Sequence, residues 1–159
     1  MIIKNFKKDE GAIELPINIV VMLVVGMVAL AALIAIIPKS KEYLTVDVID
    51  ITIDNKTTDG SIVAVRGDGE YEVRANVKVY DKENNPVTKA SVTLSGGGGF
   101  GTDQTNNNGE AIVKLGTDNN YTKVTIRPNQ KSVELKLVAK ANGFFDYENE
   151  NAIQINNKN

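Results

Sequence analysis

One uninterrupted apolar run, Ile17 to Ile37, limits what this chain can be. It holds no charge, and Asn18 is its one polar side chain. A helix rises about 1.5 Å per residue, so about 20 residues cross a hydrocarbon layer about 30 Å thick. The run is predicted as a single helix spanning a membrane or the apolar core of an assembly. Ahead of it stands KNFKKDEGAIELP, a short basic stretch with Glu14 at the mouth of the run. A carboxylate at that depth is costly in lipid and marks a position with a role. Pro16 is expected in the first helical turn, where its missing N–H costs nothing, and Pro38 ends the run.

About 120 residues follow, enough for one domain with its own core. The formal charge of -2, with no basic stripe interleaved with aromatics, argues against a nucleic-acid partner. The chain has no Cys and no His. It therefore has no disulfide framework or thiolate chemistry, and it lacks the commonest general base and transition-metal ligand. No carboxylate pair has a catalytic rationale. No catalytic residue, cofactor or metal is expected, and the chain does not read as an enzyme. Lys4, Lys7 and Lys8 favour a cytoplasmic N-terminus, with residues 45–159 outside. Lys39 and Lys41 beyond the run weaken that asymmetry.

After Ser40 the period changes from helical to alternating. Val46 and Val48 form one set, and Ile49, Ile51 and Ile53 another. The shift between them predicts a bulge or strand switch. KTTDGS and RGDGE read as turns, and Ile62–Val65 as a short strand. Val73, Ala75, Val77 and Val79 alternate with Arg74, Asn76 and Lys78, the clearest half-buried strand. Ala90, Val92 and Leu94 follow, and then Ala111, Val113 and Leu115. Val124 and Ile126, then Val133, Leu135 and Leu137, precede a last short strand at Ile153 and Ile155. Seven to nine short strands with turn signals between them predict a β-sandwich.

Candidate chemical motifs are few. The glycine-rich Ser95–Thr102 lacks the Lys and the following helix of a phosphate-binding loop, and reads as a flexible apical loop. Asp54–Gly60 is acidic but carries Lys at an alternating ligand position, so it is a poor calcium loop. Arg66-Gly67-Asp68 reads as a turn. Asn55 and Asn120 begin N-x-T sequons, candidate N-glycosylation sites in predicted turns. Tyr43, Tyr71, Tyr80, Phe100, Phe144, Phe145 and Tyr147 are too scattered to predict a stacking platform.

Basic residues, a polar step, Glu and then a long apolar helix resemble the class III signal of archaeal type IV pilins. Those proteins commonly read K-G-Q-x-A/S-x-E, with cleavage ahead of the Gln. Lys8-Asp9-Glu10-Gly11-Ala12-Ile13-Glu14 fits that frame, with Asp9 in place of Gly and Glu10 in place of Gln. A rival frame cuts between Gly11 and Ala12. A chain that is never cut also remains open. Gly26, Ala29, Ala31 and Ala35 lie among Val, Leu and Ile, and small residues let helix backbones pack closely in an apolar medium.

A second resemblance covers about 40 residues of the head. Val79, Asp81, Pro86, Val87, Ala90, Val92 and Leu94, then Thr105, Gly109 and Ala111, match the pattern of bacterial Ig-like and carboxypeptidase-regulatory-like sandwich modules. That pattern implies a fold and an adhesive or spacer role, not a reaction.

The expected class is α+β: one long N-terminal transmembrane or filament-core helix, then an all-β Ig-like sandwich. The expected division is a leader at 1–9 (to 11 in the rival frame), a helix at 10–44 and a head at 45–159. The resemblance implies a structural subunit of an archaeal type IV pilus-like filament. It would be inserted in the cytoplasmic membrane as a precursor, then exposed on the cell surface as an extracellular, adhesive, glycosylated filament. Its partners would be other copies of itself, a prepilin peptidase, an assembly ATPase and a membrane platform protein. Glu14, Gly26, Ala29, Ala31 and Ala35 are the candidate assembly residues. The alternative is a bitopic membrane protein displaying an Ig-like binding head without polymerising.

Overall fold

The computed structural model describes residues 2–37, 40–116 and 122–158, with 2–15 as helical backbone. The chain divides into two compact units, Met1–Ser40 and Lys41–Asn159.

The first unit is one helix, α1, Ile2–Ile36. Its stretch Pro16–Ile36, 21 residues, is long and apolar enough to cross a membrane. The helix begins well before the expected leader boundary, so both cleavage frames lie on continuous helical backbone. Pro16 is consequently inside the helix rather than in its first turn. Its missing N–H leaves the Ala12 carbonyl without the usual helical donor.

The expected helix boundary at residue 44 also moves. The last helical bond runs from Ile37 N to Leu33 O at 3.2 Å. Glu42 N instead donates to Gly143 O at 3.1 Å, and Phe145 N donates to Glu42 O at 2.8 Å. Leu44 is buried in the core of the second unit. Pairing of Glu42 with Gly143 and Phe145 takes residues 42–44 out of the helix.

The second unit is a β-sandwich-like set of sheets. Its strands are β1 Thr45–Ile53, β2 Lys56–Asp59, β3 Ile62–Val65, β4 Gly69–Tyr71, β5 Val73–Tyr80, β6 Ser91–Gly96, β7 Gly99–Gln104, β8 Glu110–Leu115, β9 Val124–Ile126, β10 Ser132–Lys140 and β11 Tyr147–Asn157. One sheet runs β2-β1-β5-β8, a second runs β3-β11-β10-β6-β7, and β4 pairs with β9. The pairs are antiparallel except β11 with β3. Alternate residues of both large sheets turn inward to one core. Ile51, Val73, Val77, Val113, Leu94, Leu135, Ile153 and Ile155 are all fully enclosed there.

The expected irregularity in β1 is a bulge between Val48 and Asp50 in its pairing with β5. It lets Val46, Ile51 and Ile53 share the inner face, while Ile49 is left 40 % exposed. Two expected loops are ordered otherwise, one as a strand and one as a tight hairpin. Asp54 and Asn55 take φ of 51° and 62°, the two left-handed residues of a two-residue hairpin turn, and KTTD becomes β2. The glycine-rich stretch is a hairpin rather than a flexible loop. Gly97 and Gly98 form its turn with φ of 57° and 78°, and β6 pairs with β7 up to Gly96↔Gly99. A Cβ on Gly101 would lie 2.2 Å from the Lys114 carbonyl oxygen, so β7 and β8 approach as closely as backbone allows. The last strand is longer than its Ile153–Ile155 centre. Its polar first half pairs with the end of β10.

The residues of the sandwich-module pattern meet at one node. Thr105, the one buried polar residue among those described, donates its hydroxyl to Val87 O at 2.6 Å and accepts from Ala90 N at 2.9 Å. Val87 N donates to Val79 O, and Val79 N to Gly109 O. Asp81 accepts from the backbone N–H of Glu83 and of Asn85. This closes the loop that brings Pro86 beside Tyr80. Thr105 thus ties the loop after β5 to the loop before β8, and satisfies buried backbone groups that would otherwise destabilise the core.

Candidate functional surfaces

The two units carry different surfaces. From Pro16 to Ile36 the helix is apolar around its whole circumference. Met22 and Ile36 are each 76 % exposed, Leu23 53 % and Val24 52 %. A helix that is apolar on every side is stable only inside something apolar. Gly26, Ala29, Ala31 and Ala35 lie on this surface, and a Cβ on Gly26 would meet nothing within 4 Å. Asp9, Glu10, Gly11, Ala12 and Glu14 lie on the helical backbone ahead of it.

Among the described residues the head shows no comparable apolar face. Its outward residues alternate in charge across strands. Asp47 and Glu110 flank Lys78 in register, and Tyr80 donates its phenol to Asp47. That hydrogen bond, above all, raises the Tyr80 pKa from its ordinary value. Lys136 bridges Glu150 at 2.9 Å and Glu148 at 3.7 Å across β10 and β11, and the bond to Glu150 raises its pKa. Burial, then the nearby charges of Asp54 and Asp68, raises the pKa of Tyr71. The Tyr71 hydroxyl donates to Gly67 O at 2.9 Å, and Gly67 N donates to Asn157 Oδ1 at 3.0 Å. Arg66-Gly67-Asp68 is therefore a pinned turn between β3 and β4.

Of the two sequons, Asn55 is exposed on the β1–β2 turn. The hydroxyl of its Thr57 lies 2.9 Å from that of Thr52. Asn120 lies outside the described residues. No group of three or more His, Cys, Asp or Glu is arranged to hold a metal among the described residues.

One cluster appears only in the fold. Tyr43 and Phe145, far apart in the chain, stack with ring centroids 5.0 Å apart. Lys41 Nζ lies 6.0 Å from the Phe145 centroid. The aromatics read as scattered in sequence thus include one exposed pair. No local pattern announces it, because it depends on the pairing of Glu42 with Gly143 and Phe145.

No family model, curated protein or solved structure matches this chain.

Proposed function

We propose that this chain is a structural subunit of an archaeal type IV pilus-like surface filament, with its helix bundled in the core and its Ig-like head on the surface. The observation that carries this reading is the uncharged, predominantly apolar helix from Pro16 to Ile36, exposed along its length and joined to a head with its own core. Its apolar side chains are covered only by lipid or by other helices.

Glu14 favours helices over lipid alone. After cleavage in either frame, a new α-amino group would lie near a carboxylate at the edge of the apolar run. Packing would bury both groups, and an unpaired carboxylate there is strongly destabilising. A neighbouring subunit's ammonium offsets much of that cost, and one axial stagger brings the charges together. The Ig-like assignment of the head is supported by the two-sheet core and by the node around Thr105. The function proposed is structural and adhesive rather than catalytic.

The test is the yield of filaments sheared from cells, read by immunoblot against membrane-held subunit. Glu14→Ala and Glu14→Gln should both insert and fold, yet lose most of that yield. Glu10→Gln should keep it. The mass of the subunit in the sheared fraction reads which frame is cut. Normal yield from Glu14→Ala overturns the register argument, and no filaments from the unmodified chain favours the bitopic anchor.

A further inference from the structure

We propose that the end of the head formed by Lys41, Tyr43, Lys89 and Phe145 seats on the anionic headgroup layer of the membrane holding the precursor. This rests on the reading that the Pro16–Ile36 helix spans that membrane.

The two rings are unusually open for their size. Tyr43 is 73 % exposed and Phe145 45 % exposed. They are not loose, because Glu42 N–Gly143 O and Phe145 N–Glu42 O bind their two segments together. Aromatic rings held at the edge of a membrane protein favour the headgroup level, where an apolar face and a polar edge are both satisfied.

The charge around the rings fits the same partner. Lys41, Lys89 and Lys140 line a hollow beside Phe144 that holds one carboxylate, Asp146. Asp146 pairs with Lys140 at 3.6 Å. Lys41 and Lys89 pair with no carboxylate among the described residues. Lys89 also sits in the left-handed region, φ 55°, an uncommon backbone state for a lysine. Two cations without a carboxylate partner among the described residues, beside two exposed rings, make a surface for phosphate-bearing lipid rather than for a neutral apolar partner.

Chain length puts this end within reach. Five residues, 37–41, follow the last helical residue, and five extended residues reach at most about 17 Å. The headgroup layer on each side of a bilayer is roughly 5–8 Å thick. Lys131, just ahead of β10, lies at the opposite end of that strand from Lys140. Nine residue-to-residue steps connect the two, about 30 Å of extended chain.

The chain has no Trp, so one introduced Trp is a clean reporter. Full-length Phe145→Trp and Lys131→Trp proteins are reconstituted in vesicles of phosphatidylcholine, with or without phosphatidylglycerol, carrying a shallow brominated lipid. Carbonate extraction first separates embedded from adsorbed protein. The expected result is strong quenching and a blue shift at position 145 in anionic vesicles, and neither at 131. Lys41→Glu with Lys89→Glu should weaken docking by roughly fivefold per lysine, and neutral vesicles should do likewise. Unquenched Trp at 145 in carbonate-resistant protein overturns the proposal alone. So does quenching that ignores both charge reversals, which would reflect the short tether only. A blue shift that grows with protein density without quenching overturns it in favour of a second copy. Release of the chain by carbonate overturns the membrane reading and the proposal with it.

Discussion

The helix and the head hide their apolar residues in opposite ways. In the head, every second residue of β5 points inward, and Val73, Ala75, Val77 and Val79 are each 0 % exposed. In the helix, Val20, Val24 and Val28 are all more than half exposed. The same residue type is fully satisfied within the chain in one region and unsatisfied in the other. The head therefore has the means of its stability within itself. The helix depends on a partner outside it, and that dependence is the basis of the assembly reading.

Substitutions that put a charge into each region should separate them most sharply. Val77→Asp buries a charge in the head core and should destabilise the head by at least about 3 kcal/mol. The chain should nevertheless remain membrane-bound. Val24→Asp should do the reverse, leaving the head's denaturant midpoint unchanged while weakening insertion by about 3 kcal/mol. Denaturant unfolding in detergent followed by near-ultraviolet circular dichroism, alongside membrane fractionation, reads both. If Val77→Asp also released the chain from membranes, the two regions would not be independent.

The next effect sharpens what holds the head. Thr105→Val removes the donor to Val87 O and the acceptor for Ala90 N at a buried site. It should cost about 2 kcal/mol, while Thr105→Ser keeps both bonds and most of the stability. Equal loss from both variants would show that packing, not hydrogen bonding, makes this node.

Smaller effects belong to the head's surface. Backbone N–H bonds to Asp81, from Asn85 foremost, hold its carboxyl below the ordinary aspartate value of 3.8. A depressed carboxyl stabilises the fold fully above the unfolded value, and the contribution is lost as the pH falls through the folded one. The midpoint of the wild type should thus fall more than that of Asp81→Asn as the pH drops below about 4. Lys78 is more constrained than an ordinary solvent-facing residue, because Asp47 and Glu110 stand opposite it. Lys78→Gln should change stability by under about 0.5 kcal/mol, and Lys78→Asp, which sets like charges across two strands, should cost somewhat more.

These contrasts also mark what the sequence could reveal. The helix was legible because a run without charge needs no tertiary information. The core strands were legible because alternation is a local property, and the slip in phase between Val48 and Ile51 announced the bulge. A turn is expected around Asn55, but KTTD reads as part of it rather than as β2, because two non-glycine residues, Asp54 and Asn55, take the left-handed conformation and a search for glycine sets the turn at Gly60 instead. The glycine-rich hairpin looked flexible because its glycines are fixed by neighbours from distant strands, such as Lys114 beside Gly101. Pro16 was placed in a first turn because the apolar run, rather than the helical backbone, set the expected start. The Tyr43–Phe145 pair had no local signal, since only the pairing of Glu42 with residues 143 and 145 brings the rings together.

The central claim is that other copies of this helix cover its apolar surface. The chain has no Cys, so cysteines introduced at residues 31 and 35 report on that surface alone. With cleavage before Glu10, the stagger that pairs Glu14 with a neighbour's new N-terminus sets residue 35 of one copy level with residue 31 of the next. Mild oxidation of cells displaying the Ala31→Cys, Ala35→Cys chain should give covalent oligomers, and an exposed head control, Lys131→Cys, should give none. A membrane-inserted Ala31→Cys, Ala35→Cys chain that stays monomeric throughout would contradict the claim and leave the helix as a lipid-covered anchor.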